Sequence, residues 1–283
     1  MFERFSRSWS LVKASAGVLS KDKELLVFPL LSAICTLIVA AAFVLPAFGL
    51  GALDGLRDGG EGLPLLAYVL AFAFYLVQYF VIFFFNSALV GAAMIRLDGG
   101  DPTLRDGLRI ASGKLIPILG YAAIAATVGM ILRAIQERAG FIGKMVSGFL
   151  GVAWTVASFL VVPVLVARNV GPLDAVKESA LLLKKTWGEN LIGQGGIGLV
   201  FGFIFFGLIL AGGAAIVGAA MTGSGVLIGL VVAIVIIVLM LAALIQAALS
   251  GIYSAALYRY ASGDGATDGF EVGLLEHAFA AKK

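Results

Sequence analysis

The sequence has little charge and few of the residues that build catalytic or metal sites. Of its 283 residues 13% are charged and 61% are hydrophobic, whereas soluble domains carry about 25% charged residues. It holds one histidine, His277, and one cysteine, Cys35. A zinc site needs three or four ligands, and a Ser-His-Asp triad needs its histidine beside the serine. We therefore expect no catalytic residue, no metal, no cofactor and no enzymatic activity.

Long charge-free runs dominate the chain. A helix needs roughly 20 apolar residues to cross a bilayer. The charge-free runs are 25–53, 62–95, 115–132, 145–167 and 190–258. The first four each have the length for one crossing. The last has the length for two, and a polar turn, "MTGSG", lies in its middle. These runs contain no paired carboxylates, which argues against a proton-driven pump. The pattern predicts an all-α polytopic membrane protein with six transmembrane helices.

The basic residues are distributed asymmetrically. With six spans, 16 of the 20 Lys and Arg lie on the face that carries both termini. Positive charge stays cytoplasmic, so the prediction is a multi-pass membrane protein with both termini in the cytoplasm. Anionic lipid headgroups also attract basic residues. Membrane lipids are therefore the expected partners, and nucleic acid is not one.

A junction is repeated along the chain. Arg96, Arg168 and Arg259 each close an even-numbered span, and a glycine-containing turn and an amphipathic segment follow each of them. The N-terminal segment has the same amphipathic pattern, which is typical of a helix lying in the membrane interface. We predict one membrane domain, 1–283, built of three tandem units at about 1–96, 97–168 and 169–259. A cytoplasmic tail at 260–283 holds a short amphipathic helix. The alternative is that any short cytoplasmic connection has this pattern.

The proposed units can be aligned over four residues. Val12-Lys13-Ala14-Ser15 aligns with Val176-Lys177-Glu178-Ser179, and less well with Leu108-Arg109-Ile110-Ala111. All units then have the same orientation. The alignment predicts parallel repeats about an axis along the membrane normal.

The N-terminal segment also resembles a known family. It reads F-x-R-x-x-x-S-W-x-L-x-K-x-S and then K-D-K-E-L-x-x-F-P-L, ending at Leu30, and "YSAALYRYASG" at 253–263 fits as well. These residues resemble an uncharacterised bacterial family of multi-pass membrane proteins, a domain of unknown function. The resemblance implies an inner-membrane protein without an assigned activity. The repeated interfacial helices are more distantly similar to the membrane domains of YciC-like proteins and of glycerophosphodiester phosphodiesterases.

The even-numbered spans contain a small uncharged polar set. Under the repeat register these side chains converge near the axis, and Pro163 bends span 4 beside them. One interpretation is interhelical hydrogen bonding, and the other is a site for a neutral or amphiphilic ligand. The candidate ligand-binding residues are Gln78, Asn86, Ser87, Ser158, Gln246 and Ser250. Arg96, Arg168 and Arg259 are candidates for lipid headgroups, or they snorkel at the helix ends.

Glycines crowd the last charge-free run. "GQGGIG" at 193–198 fits G-x-G-x-x-G, but it lies at the mouth of a span and not in the strand-turn-helix context of a dinucleotide site. Gly198 and Gly202, like Gly225 and Gly229, have the spacing that lets membrane helices approach closely. We expect these glycines to pack helices together, and the alternative is a pore or a hinge.

Two functions fit these features. The first is a non-enzymatic membrane module that engages lipid or organises a membrane assembly, with a homo-oligomer as one arrangement. The alternative is a facilitative transporter or channel for a small neutral or amphiphilic solute.

Overall fold

The computed structural model describes residues 2–49, 65–138, 140–187 and 197–263, together with Phe270 and Leu275. All secondary-structure elements in this part of the chain are helices, including a short 3-10 helix at Lys23–Leu26. The α-helices are α1 (Phe2–Lys21), α2 (Val27–Gly49), α3 (Leu65–Leu97), α4 (Leu104–Ser112), α5 (Leu115–Arg138), α6 (Gly140–Ser158), α7 (Val161–Ala167), α8 (Pro172–Trp187), α9 (Ile197–Met221) and α10 (Gly225–Ser262).

Among the described residues, six helical stretches are long and apolar enough to cross a membrane. They agree with the six predicted spans. The described parts of the first three charge-free runs each lie in one long helical stretch, the fourth run forms an interrupted helix, and the described part of the last run forms two helices. These stretches are Lys23–Leu45, Tyr68–Leu97, Leu115–Glu137, Gly143–Ala167, Ile197–Met221 and Gly225–Ser262. The protein is therefore an all-helical, multi-pass membrane protein. The predicted amphipathic helix of the tail lies outside the described residues, apart from Phe270 and Leu275, which are buried.

The polar turn in the last run is confirmed. The chain turns at Thr222 and Gly223, and Gly223 has a φ of 70°, a left-handed conformation that glycine adopts without steric cost. Ser224 then caps α10, since its Oγ accepts a hydrogen bond from Leu227 N at 3.3 Å. Two spans rather than one very long helix result.

Span 4 is interrupted, as Pro163 predicts. The helix stops after Ser158 and restarts at Val161 as α7. A proline ring collides with the carbonyl four residues earlier and offers no N–H to it, and that position here is Phe159. The interruption leaves the Leu160 N–H without a helical partner, and Ser179 Oγ of α8 accepts it at 3.0 Å.

The even-numbered spans meet at the centre. Helices α3, α7 and α10 contact one another, whereas the odd-numbered spans lie outside them. The buried core concentrates towards one end of these helices, over residues 87–93 of α3, 161–165 of α7 and 248–258 of α10. Three arginine-bearing junctions meet at the same end, which is the face predicted to be cytoplasmic.

The amphipathic helices α1, α4 and α8 cover that end. Thr103 caps α4 through a capping box in which Asp106 N donates to Thr103 Oγ1 and Thr103 N donates to Asp106 Oδ2. Asp106 is thus the third residue of α4, three positions after the cap Thr103. Its carboxylate accepts hydrogen bonds from the Thr103 hydroxyl and amide, and these bonds lower the pKa of Asp106.

The three amphipathic helices bury equivalent positions. Ser15 of α1, Ala111 of α4 and Ser179 of α8, which the sequence alignment places together, are each 0% exposed. The basic residues two positions earlier are exposed in each helix. The alignment therefore matches which face of each helix packs inward.

Each amphipathic helix packs mainly beneath a hairpin other than the one that follows it. Helix α4 packs on α3 of the first hairpin, and α8 packs on α5, α6 and α7 of the second, with further contacts to α10 of the third. Helix α1 packs on α9 and α10, the last hairpin in the chain. The contacts of α1 thus close a ring between the beginning and the end of the sequence.

Most glycines of the last hairpin do not pack helices together. A Cβ on Gly198, Gly202, Gly225 or Gly229 would meet no atom within 4 Å. The prediction that these residues pack helices within the chain is wrong. Gly212 alone among the glycines of α9 makes the close approach, since a Cβ there would lie 2.8 Å from Val235 Cγ1.

Candidate functional site

A groove lies between α2, α3 and α10 at the level of their buried ends. It has a volume of about 340 Å³. No lining residue is charged. The lining residues are Pro29, Ser32, Ile82, Phe85, Asn86, Leu89, Phe159, Ala247, Ser250, Gly251 and Ser254.

Gly251 and Pro163 shape the groove. A Cβ at Gly251 would collide with the Leu89 side chain, so glycine is what lets α10 approach α3 this closely. Asn86 Oδ1 lies 3.6 Å from the position that this Cβ would take. The helix break caused by Pro163 contributes Phe159, whose ring meets that of Tyr253 edge-on at 6.2 Å.

Three polar side chains in the lining make no hydrogen bond to any residue that the structure describes: Ser32, Asn86 and Ser250. The fourth, Ser254, donates from Oγ to the Gly251 carbonyl at 2.9 Å. The Asn86 amide offers two donors and an acceptor, and each serine hydroxyl offers a donor and acceptors. The groove therefore presents unpaired hydrogen-bonding groups in otherwise apolar surroundings.

The groove lies at the depth of one bilayer leaflet. Asn86 is ten residues before Arg96, which is about 15 Å along a helix, or half of a hydrocarbon core about 30 Å thick. Ser250 is nine residues before Arg259, about 13 Å. At the edge of the groove Ile82 is 39% exposed, and Ala247 is exposed as well. The groove therefore opens sideways, towards the space that lipid occupies.

The structure brings together part of the predicted polar set. Asn86 and Ser250 line the groove, whereas the other four residues lie outside its lining. Gln78 donates from Nε2 to the Thr36 carbonyl at 3.2 Å and links α3 to α2. Ser158 donates to the Thr155 carbonyl at 3.4 Å. Ser87 is buried and Gln246 is half-buried.

Ser32 and Ser254 are the two polar groove residues that are absent from the predicted set. The repeat register pointed only to even-numbered spans, and Ser32 lies in the first span. Its signal in the sequence was a polar residue within a charge-free run, three positions after Pro29. Nothing in the periodicity of α2 indicated that this residue faces α3 and α10.

The three junction arginines have protein partners. Arg96 donates to the carbonyls of Gly100 at 3.0 Å and Lys21 at 3.4 Å. Arg259 pairs with Asp98, and Arg168 pairs with Glu178 at 2.6 Å. The Arg259–Asp98 pair thus ties the third junction to the first, at the end of the bundle that is predicted to be cytoplasmic. Headgroup binding by these arginines stays a prediction, and lipid would have to share them with carboxylates.

Asp22 lies in the same network, between α1 and the first span. Its residue is 6% exposed, and its Oδ2 accepts no hydrogen bond from a described residue. Burial raises the pKa of Asp22, while the positive charge of Arg96 opposes part of that shift. Among the described residues no group of three or more His, Cys, Asp or Glu side chains is placed to hold a metal ion.

Comparison with known proteins places the chain in a family. Comparison with curated proteins finds no match. A family model described as a family of unknown function, DUF6159, matches residues 65–270. The match begins after the N-terminal segment that carried the sequence resemblance, and it covers five of the six spans. The chain belongs to this DUF6159 family of unknown function.

Proposed function

We propose that the chain is a non-enzymatic protein of the bacterial inner membrane that binds lipid in the groove between α2, α3 and α10. One observation carries the proposal. Asn86 and Ser250 line a laterally open groove at leaflet depth, and neither side chain is hydrogen-bonded to a described residue. Lipid surrounds such an opening on every side, so a lipid group is the partner most available to these side chains.

The energetics of unpaired polar groups support this proposal. An amide without a hydrogen-bond partner in an apolar medium costs roughly 2–7 kcal/mol, depending on the reference state. Lipid tails offer no donors or acceptors, whereas the glycerol region offers ester carbonyls and hydroxyls. An occupant with such groups would pair the Asn86 amide and the Ser250 hydroxyl.

The proposal includes the three-unit architecture. Two features support three tandem repeats. Helices α1, α4 and α8 bury equivalent positions, and each of them covers the hairpin of another unit. In this arrangement the groove lies where the even-numbered spans of the first and third units meet. The more distant similarity to YciC-like and phosphodiesterase membrane domains stays a prediction.

The proposal also includes a role in assembly. The hairpin of α9 and α10 leaves most of residues 202–247 exposed, and this surface is available to lipid or to another copy of the chain. The face that carries both termini also carries most of the basic residues. This supports placing the termini in the cytoplasm, because positive charge stays on the cytoplasmic side.

Native mass spectrometry of the protein in mild detergent tests the proposal. We expect co-purified lipid that is retained by the wild type and by Ser158→Ala, whose residue lies outside the groove. Asn86→Leu, which removes the amide at similar volume, should lose that lipid. Equal retention in all three proteins would refute binding in the groove. The same spectra report whether the protein is an oligomer.

A further inference from the structure

The groove offers hydrogen bonds but no charge. Its polar lining consists of one amide and three hydroxyls. The arginines nearest to it in sequence lie at the cytoplasmic ends of the helices, where Arg96 contacts Asp101 and Arg259 pairs with Asp98. A phosphate at the depth of Asn86 would be desolvated without a cation beside it, which is costly. A phospholipid headgroup therefore does not suit the groove.

The donors and acceptors of the lining narrow the class of ligand further. The amide of Asn86 and the hydroxyl of Ser250 each both donate and accept. A hydroxyl group is the uncharged lipid group that also does both, whereas esters and quinones only accept. The groove thus favours an uncharged lipid with a free alcohol.

Volume and depth set the orientation of such a lipid. A volume of about 340 Å³ holds the equivalent of roughly ten water molecules, which suits a glycerol ester but not two complete acyl chains. The chains must leave the groove past the exposed Ile82 and Ala247. A lipid without a charged headgroup is free to sink below the interface to the depth of Asn86.

We propose that the groove binds a diacylglycerol-type lipid, with its free hydroxyl at Asn86 and Ser250 and its acyl chains in the surrounding leaflet. This inference rests on the proposed function and names the ligand class of the same site. The geometry that carries it is an uncharged groove in which Asn86 faces α10 beside Gly251. Ser32 also lines the groove and has a hydroxyl that no described residue binds and that can donate to an ester carbonyl, whereas Ser254 already donates to Gly251.

The test compares three lipids in nanodiscs of phosphatidylethanolamine and phosphatidylglycerol. Native mass spectrometry measures binding of a diacylglycerol, of its acetylated form without the free hydroxyl, and of the phospholipids themselves. Asn86→Leu and Ser250→Ala test the site, and Ser158→Ala is the matched polar control. Two lost hydrogen bonds at membrane depth should weaken diacylglycerol binding about sevenfold in the double variant.

The outcomes separate this inference from the proposed function. Binding of diacylglycerol in preference to its acetylated form, weakened about sevenfold in the double variant and unchanged in Ser158→Ala, would support both. If the double variant lost phospholipid as readily as diacylglycerol, the ligand class would be wrong while lipid binding in the groove stood. If no lipid responded to the double variant while size-exclusion profiles stayed normal, both would be overturned.

Discussion

Ser179 Oγ of α8 accepts a hydrogen bond from the backbone N–H of Leu160 at 3.0 Å, and both residues are 0% exposed. Pro163 creates the need for this bond, because the helix break in span 4 removes the helical partner of that amide. The amphipathic helix α8 thus satisfies a backbone amide of a membrane span. The contact joins the second and third proposed units at their most buried point.

Replacing Ser179 by alanine should destabilise the protein. The Leu160 N–H would be buried without a partner, at a cost of about 1–3 kcal/mol. Ser15→Ala is the matched control, because Ser15 is equally buried but its Oγ has no hydrogen-bond partner in the described chain. Thermal unfolding in detergent should show a lower midpoint for Ser179→Ala and little change for Ser15→Ala. Equal losses would mean that side-chain volume, not the hydrogen bond, matters at both positions.

Gly107→Ala should loosen the packing of α4. A Cβ there would collide with the Phe28 ring and lie 2.7 Å from the Ala88 carbonyl oxygen, and a backbone atom cannot rotate away. Overpacking of this kind costs about 1–3 kcal/mol. Gly202→Ala is the control within the chain, since its Cβ would meet no atom within 4 Å. Unfolding midpoints measure the first effect, and a Gly107→Ala protein as stable as the wild type would contradict this packing.

The Gly202→Ala control also reports on assembly. If a second copy packs on the exposed face of α9, an added methyl group at Gly202 should shift the oligomer distribution in native mass spectrometry without lowering the stability of the monomer. An unchanged distribution would place the contact between copies, where there is one, away from this glycine.

Asp22→Asn should stabilise the protein at neutral pH. Burial raises the pKa of Asp22 above its ordinary value of 3.8, so the folded state keeps this proton to a higher pH than the unfolded chain. The free energy of unfolding therefore falls as the pH rises from the pKa of Asp22 in the unfolded chain to its pKa in the folded protein. Above both pKa values the buried, ionised carboxylate destabilises the folded state by a constant amount. Asparagine removes that cost.

The advantage of Asp22→Asn should disappear as pH falls below 3.8, where the wild-type carboxyl is protonated in both the folded and the unfolded state. Asp174→Asn, at an exposed position of α8, serves as the control. Denaturant unfolding across this pH range measures the effect. An Asp22→Asn variant that is less stable at neutral pH would show that attraction to Arg96 outweighs burial.

Cysteine labelling should confirm the orientation. In a Cys35→Ala background, Ser20→Cys and Thr222→Cys place exposed thiols at opposite ends of the bundle. We expect an impermeant maleimide to label Thr222→Cys in intact spheroplasts and Ser20→Cys only in inverted vesicles, because the basic face stays cytoplasmic. The reverse pattern would overturn the predicted orientation.

Solute transport through the polar set should not occur. Beyond Asn86 the next polar side chain of the set on α3 is Gln78, about 12 Å further along the helix, and its amide is bound to the Thr36 carbonyl. Gln246 lies outside the groove. Glycerol flux into proteoliposomes, followed by light scattering, should match protein-free vesicles and stay the same in Asn86→Ala and Gln246→Ala. Flux that either substitution abolishes would instead favour the transporter.

Composition and periodicity determined much of the architecture. Runs without charge predict membrane helices because a charged side chain is costly in hydrocarbon, and the helix break at Pro163 and the turn at "MTGSG" follow from local backbone chemistry. The alignment of Ser15, Ala111 and Ser179 was also readable, since a buried helical face leaves a periodic trace in the sequence.

Tertiary structure decided which polar and small residues meet. Periodicity is weak in a helix that is apolar on every side, so the sequence could not show that Ser32 faces Asn86 and Ser250 while Gln246 does not. The same lack of contrast concealed that Gly251 packs closely and Gly202 does not, because glycine spacing permits a close approach without naming a partner. The ring closed by α1 depends on contacts between the two ends of the chain, and no local pattern in the sequence encodes them.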